Sequence, residues 1–311
     1  HLEGANKMKV FVTGANGQLG HDVVNELVAR GHEAIASGTG EKYTGVQDGT
    51  AVCSAPYYSM DICQRENVRQ VLLAVKPDAV IHCAAWTNVD GAEEPENKPK
   101  ALAVNGEGTS NIVDACNYLD CKMMYISTDY VFNGQGTEPW QADCQDYDPM
   151  NVYGFGKLMG ELVVKECLKK FFVVRISWVF GRNGGNFVDT MLRVGSNHSQ
   201  LKVVNDQIGR PTYTLDLSRL LVDMIESEKY GFYNATNEGN NISWYDFAKE
   251  IFRQGDMPVE VLPVTTEEYG ISKAQRPFNS RLDTSKLAEQ GFRPLPDWQD
   301  ALKRYLLDKN R

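Results

Sequence analysis

Residues 8–20 read MKVFVTGANGQLG, an apolar, β-branched run closed by a turn with glycines at 14, 17 and 20. The run predicts a strand over 8–13, and the apolar spacing after it predicts a helix over about 18–30. Strand, turn and helix fall where a dinucleotide-binding fingerprint requires them. Glycine permits positive φ at the turn and lets the backbone approach a pyrophosphate, which the unpaired N–H groups of a helix N-terminus attract. A plain βα turn also contains such glycines, so the triplet needs its context.

That context is repeated along the chain. Strands are predicted at 32–37 (HEAIAS), 78–85 (DAVIHCAA), 122–127 (KMMYIS) and 171–177 (FFVVRIS), with helices near 64–75, 99–119 and 153–169. The alternation implies an α/β fold, a Rossmann-type doubly wound parallel sheet, with ligands beyond the carboxyl ends of the strands. Residues 37–59, rich in Gly and Ser and without a period, read as a long loop of the kind that tends to be functional or mobile. After Gly181 the pattern becomes irregular: a helix at about 186–197, a strand LKVVN, a helix at 214–227 and a Pro-rich tail ending in WQDALKRYLLD. We therefore expect a NAD(P)-binding domain over 8–181 and, over 182–311, mainly a smaller C-terminal substrate-binding lobe with some segments returning to the sheet. Residues 1–7, HLEGANK, read as a cloning remnant.

The 32 basic and 41 acidic residues leave a net charge of -9 with no basic run, which argues against a nucleic-acid or anionic-membrane partner. Seven scattered cysteines without a C-x-x-C pair argue for reduced thiols in the cytoplasm and against a zinc site. No stretch approaches the roughly 18 apolar residues of a spanning helix.

Four other stretches carry candidate chemistry. At the end of the second strand, ASGTGEK holds no acid before Glu41 and has a lysine at 42, which permits NADPH without excluding NADH. Asp61 could cap the following helix or bond the adenine. The small residues of CAAWTNVD (83–90), among them Ala84, Ala85 and Thr87, would leave room for cofactor ribose and phosphate, or would serve close strand packing. ISTDYVFNG (126–134) ends the fourth strand with Thr128 and Asp129, where a hydroxyl is a candidate donor to a substrate oxygen, although a threonine there is also an ordinary turn residue.

YGFGK (153–157) then places Tyr153 one helical turn from Lys157. The same spacing occurs at Tyr118/Lys122, Tyr245/Lys249, Tyr269/Lys273 and Tyr305/Lys309, so spacing alone selects nothing. Position does: this pair follows the fourth strand, beside the hydroxyl of Thr128. A ketone that accepts hydride becomes an alkoxide and needs a proton, and a phenol is a weak acid unless a cation favours its phenolate. Tyr153 is the candidate acid, and Lys157 is the candidate cation that would also hold the nicotinamide ribose.

Thr128 followed by Tyr-x-x-x-Lys, after TGANGQLG, resembles the extended short-chain dehydrogenase/reductases. With AAWTNVD, ISTDYVFNG, YGFGKLMGE, RISWVFG, NDQIGRPTYTLDL and QRPFNSRLD, the chain from Met8 to about Leu287 is similar to the dTDP-4-dehydrorhamnose reductase family. The resemblance implies reduction of the 4-keto group of dTDP-4-dehydro-L-rhamnose by NADPH or NADH, with Thr128, Tyr153 and Lys157 as the triad. It implies Gly17, Gln18 and Leu19, beside Gly14 and Asn16, at the pyrophosphate, Asp61 and Ile62 at the adenine, and Ala85, Trp86 and Thr87 with Ala84 on the ribose side. It further implies Thr128, Asp129 and Trp178 at the sugar nucleotide, and Asn105 supporting the lysine through water. Magnesium at a dimer interface occurs in some relatives, but Gln18, His21 and Asp22 give no support for it here, and monomer and homodimer both stay open. The 37–59 loop departs from the family pattern.

Two rivals share the fold. A nucleotide-sugar dehydratase continues the strand as Thr-Asp-Glu where this chain has Tyr130, and an epimerase or another 4-ketoreductase keeps the Tyr/Lys pair. A non-enzymatic NADP-binding subunit, like the regulatory subunit of methionine adenosyltransferase, would bind without turnover.

Overall fold

The computed structural model describes residues 7–270 and 272–309. All but the last residue of the 1–7 stretch, expected to be a cloning remnant, lies outside them. Six strands in chain order, β1 (Lys9–Thr13), β2 (Glu33–Gly38), β3 (Tyr57–Ser59), β4 (Ala79–His82), β5 (Lys122–Thr128) and β6 (Phe171–Ile176), join the strand Gly231–Asn234 in one sheet. From one edge the order is Gly231–Asn234, β6, β5, β4, β1, β2, β3, and every pair is parallel. The winding reverses between β1 and β4, which opens a crevice beyond their carboxyl ends. This is the Rossmann-type doubly wound sheet expected.

Two strands of this sheet were not expected. The end of the 37–59 stretch supplies β3, a three-residue edge strand that pairs Ala36 with Tyr57, and GFYN at 231–234 pairs with β6. Both are too short for a period of two to show in the sequence. β4 stops at His82, so Ala84, Ala85 and Trp86 are loop. The helix expected at 99–119 is broken: a π-turn at Ala103–Glu107 separates Lys98–Leu102 from Gly108–Leu119.

Helix α1 (Gln18–Ala29) packs with the helix Thr214–Ile225 over one face of the sheet, burying Val23, Val24, Leu27, Leu217, Leu221 and Met224. Helix α2 (Arg65–Val75), Gly108–Leu119 and Val152–Cys167 cover the other, around Phe11, Leu72, Ile112, Tyr125 and Val164. A separate apolar cluster of Phe180, Tyr213, Phe247, Trp298 and Tyr305 lies beyond the sheet. It includes the helix Trp244–Gln254, which a reciprocal Ser243/Asp246 capping box starts.

One polar contact ties these layers together. Arg175 on β6 and Glu161 on the 152–167 helix are both fully buried, with Nη2–Oε1 at 2.8 Å and Nε–Oε2 at 3.0 Å. The Ser127 hydroxyl on β5 donates to the same carboxylate at 2.5 Å, and Tyr147 donates at 3.1 Å. Removing one partner of such a pair strands a buried charge, at a cost of about 3–5 kcal/mol. Glu161→Gln is therefore expected to lower the urea unfolding midpoint by a corresponding amount. A midpoint equal to wild type would show that the pair does not anchor the helix.

Candidate active site

The crevice is a cleft of about 1460 Å³, floored by the carboxyl ends of β1, β2, β4 and β5 and roofed by residues from the later part of the chain. Of the residues singled out in the sequence, the structure brings Gly14, Asn16, Gly17, Gln18, Leu19, Asp61, Ile62, Ala84, Ala85, Trp86, Thr87, Thr128, Asp129, Tyr153, Lys157 and Trp178 to its wall. Asn105 is set behind it.

At one end lies the glycine turn. Gly14 has φ +67, and a Cβ there would stand 2.6 Å from the backbone nitrogen of Ala84, so no other residue fits. α1 begins after Gly17 with no side-chain cap and no acid in its first turn, which leaves its N–H groups free for an anion. The facing loop is held from beneath. Thr13 Oγ1 accepts from Ala84 N at 3.0 Å and is hydrogen-bonded to His82 Nδ1 at 2.7 Å, and His82 Nε2 reaches Thr109 Oγ1 at 3.1 Å. Burial, with the Lys157 charge, lowers the His82 imidazole to about 3, so the ring is neutral, as this relay requires.

Asn105, in the π-turn, accepts from Trp86 N at 2.9 Å and donates to Trp86 O at 3.2 Å. Its direct partner is thus the loop that follows β4. Asp61 accepts from Cys63 N at 2.9 Å, a local turn bond, while also lining the cleft. The end of β2 contributes Ser37, Gly38 and Thr39, with no acid. A dinucleotide fits this end: an uncapped helix start, a close-packed glycine and small residues opposite.

Further along, Asn151 caps the 152–167 helix by accepting from Gly154 N at 2.7 Å. The two glycines of YGFGK now have a cause. A Cβ on Gly154 would lie 2.3 Å from the Tyr130 carbonyl, and one on Gly156 would lie 3.1 Å from Asn105 Cβ. The helix therefore seats against β5 and the π-turn, and Tyr125 fixes the depth by donating to the Lys157 carbonyl at 2.9 Å.

Burial raises the Tyr153 phenol well above its ordinary value, Tyr130 and Asp129 add to the rise, and a hydrogen bond with Thr128 opposes it. The net direction is a rise, with burial its largest cause. Lys157 Nζ lies 4.5 Å over the Tyr125 ring, and burial lowers its ammonium to about 8 against the opposing pull of Glu161 and Cys83. Asp129 is 1% exposed. Neither of its oxygens has a hydrogen-bond partner among the described residues, and burial raises it to about 7, with Ser280 and Thr128 pulling the other way.

Of the wall opposite, the sequence reading named only Trp178. Trp178 has φ +50, uncommon for a bulky residue, and stacks on Trp244 with centroids 3.7 Å apart. Arg276 donates to the Tyr130 hydroxyl at 3.2 Å and to Asp90 at 2.9 Å, and Tyr130 meets Tyr153 edge-on at 5.6 Å. Trp244 and Arg276 lie more than sixty residues from any motif they touch. Only the motif QRPFNSRLD gave a hint. Among the described residues no group of three or more His, Cys, Asp or Glu is placed to hold a metal ion, and no helix is long and apolar enough to cross a membrane.

Residues 8–310 match the family described as RmlD substrate binding domain. The spore coat polysaccharide biosynthesis protein SpsK of Bacillus subtilis is 37% identical over 97% of this chain and 98% of its own. The dTDP-4-dehydrorhamnose reductase of Streptomyces griseus is 37% identical over 94% of this chain and 91% of its own. Among solved structures, the dTDP-4-dehydrorhamnose reductase of Bacillus anthracis in complex with NADP superimposes with a TM-score of 0.85, at 37% identity, covering 97% of this chain and 99% of that one. The chain belongs to the RmlD substrate-binding domain family, the family of the dTDP-4-dehydrorhamnose reductases.

Proposed function

We propose that this chain reduces the 4-keto group of dTDP-4-dehydro-L-rhamnose to give dTDP-L-rhamnose, using NADPH or NADH. The observation that carries this reading is the single cleft that holds the glycine turn at one end and Thr128, Tyr153 and Lys157 at the other, in a chain of this family. When bound, the nicotinamide supplies a hydride. Every other task falls to the protein.

Gly14, Asn16, Gly17, Gln18 and Leu19 hold the pyrophosphate, Asp61 and Ile62 the adenine, and Ala84, Ala85, Trp86 and Thr87 the ribose side. Tyr153 is the general acid. Its raised phenol keeps the proton at neutral pH and gives it to the sugar oxygen, because an alkoxide is a stronger base than a phenolate. Thr128 hydrogen-bonds the phenol and the same oxygen, which places the proton on the line of transfer. Lys157 stays cationic below about 8, holds the nicotinamide ribose and favours the phenolate left behind. Asp129, buried without partners, takes sugar hydroxyls, and Trp178 bounds the sugar. Asn105 acts indirectly, by fixing the backbone of Trp86.

General acid catalysis is worth ~10²–10⁴-fold, so Tyr153→Phe should lose about that factor in kcat while still binding NADPH. Turnover within threefold of wild type would remove Tyr153 from the acid role. The lowered Lys157 adds a pH expectation. The ammonium is charged below its value of about 8 and neutral above it, so kcat/KM should fall on the alkaline side with a midpoint near that value. A profile flat to pH 10 would contradict the assignment.

A further inference from the structure

The segment after β2, read from sequence as a loop, is stitched to α1 and to the glycine turn. Asn25 accepts from Val52 N at 2.8 Å and donates to Thr50 Oγ1 at 2.9 Å. His21 Nδ1 meets the Tyr43 hydroxyl at 2.7 Å, and His21 Nε2 lies 3.2 Å from the buried carboxylate of Asp48. The side chain of Asn16, within the turn, accepts from Thr44 N at 2.8 Å.

A second stretch, far away in sequence, completes the arrangement. Asn183, 7% exposed, donates through Nδ2 to the carbonyls of Asn16 at 2.9 Å and Gly17 at 3.1 Å. Its Oδ1 accepts from Val46 N at 2.9 Å. A Cβ on Gly45 would stand 2.7 Å from Asn183 Nδ2, so the loop is packed directly on this amide. Three residues on, Asn186 donates to Gln18 Oε1 at 3.2 Å.

The consequence follows from peptide geometry. In a planar trans peptide the carbonyl of one residue and the N–H of the next point in opposite directions. Holding the Asn16 carbonyl aims Gly17 N–H at Gly14 O, which it meets at 3.0 Å to close the turn. Holding the Gly17 carbonyl aims the N–H of Gln18, a cleft residue, away from Asn183.

We infer that Asn183 and the 43–52 segment form a clasp that fixes the Asn16–Gly17 backbone for a dinucleotide pyrophosphate, with Asn183 as a positioning residue. The inference rests on the reading of the glycine turn as the cofactor site. It assigns a role to the loop that departs from the family pattern, and it connects the cofactor turn to the chain leading into the helix Phe187–Gly195, whose first residues line the other half of the cleft.

The test is NADPH affinity, read by quenching of intrinsic fluorescence, for wild type, Asn183→Ala and the near-isosteric Asn183→Asp, with thermal melting to confirm folding. Asn183→Ala loses both bonds to the turn and the one from Val46 N, and its NADPH Kd should rise about tenfold, equivalent to about 1.4 kcal/mol. Asn183→Asp keeps the acceptor for Val46, loses both donors and adds a negative charge beside an anion site, so its Kd should rise further. In turnover the effect should fall on KM for NADPH rather than on kcat. A Kd within twofold of wild type in both folded variants overturns the clasp alone. Wild-type protein that binds neither NADPH nor NADH overturns the cofactor reading beneath it.

Discussion

The buried pair of Arg175 and Glu161 is the constraint on which the site depends. Two ions taken out of water persist only when each finds several partners, and here Ser127, Tyr147 and the Ala142 carbonyl complete the set. Satisfying them fixes the rotation and height of the 152–167 helix against β5 and β6. A one-residue slip would turn that helix by about 100° and carry Tyr153 out of the cleft. Glu161 is one turn past Lys157, and Ser127 precedes Thr128, so the contact that anchors the helix also sets its two cleft-facing residues opposite the hydroxyl on the strand.

Burial then sets the chemistry. The same exclusion of water raises the Tyr153 phenol, raises Asp129 to about 7 and lowers Lys157 to about 8. An acid that keeps its proton until a strong base forms beside it, and a cation held close to neutrality, suit proton delivery to a developing alkoxide. At the cofactor end the logic differs. There the wall is mostly backbone, and the surrounding side chains, Thr13, His82, Asn105 and Asn183, hold it in place.

The sequence was informative wherever function is written in consecutive residues. β1, the glycine turn and α1 form one continuous segment, and their order alone marked the candidate cofactor end. Five Tyr-x-x-x-Lys spacings looked alike until position along the fold separated them. Lys249 and Lys309 lie over the rings of Tyr245 and Tyr305 at 4.3 and 5.5 Å, in helices away from the sheet, whereas Lys157 lies over Tyr125 on β5. What stayed hidden was set by tertiary contact. β3 and the strand Gly231–Asn234 are too short to carry a period. The pairing of Trp244 with Trp178, of Arg276 with Tyr130 and of Asn183 with the glycine turn joins residues that no local pattern connects.

The most direct test follows the hydride. Incubating the protein with enzymatically generated dTDP-4-dehydro-L-rhamnose and NADPH carrying deuterium at the transferable nicotinamide position, then analysing the sugar by NMR, reads the reaction at its reacting atom. The account expects one deuterium at C4 of dTDP-L-rhamnose for each NADPH consumed. Cofactor left unconsumed, or a product without deuterium at C4, would contradict it.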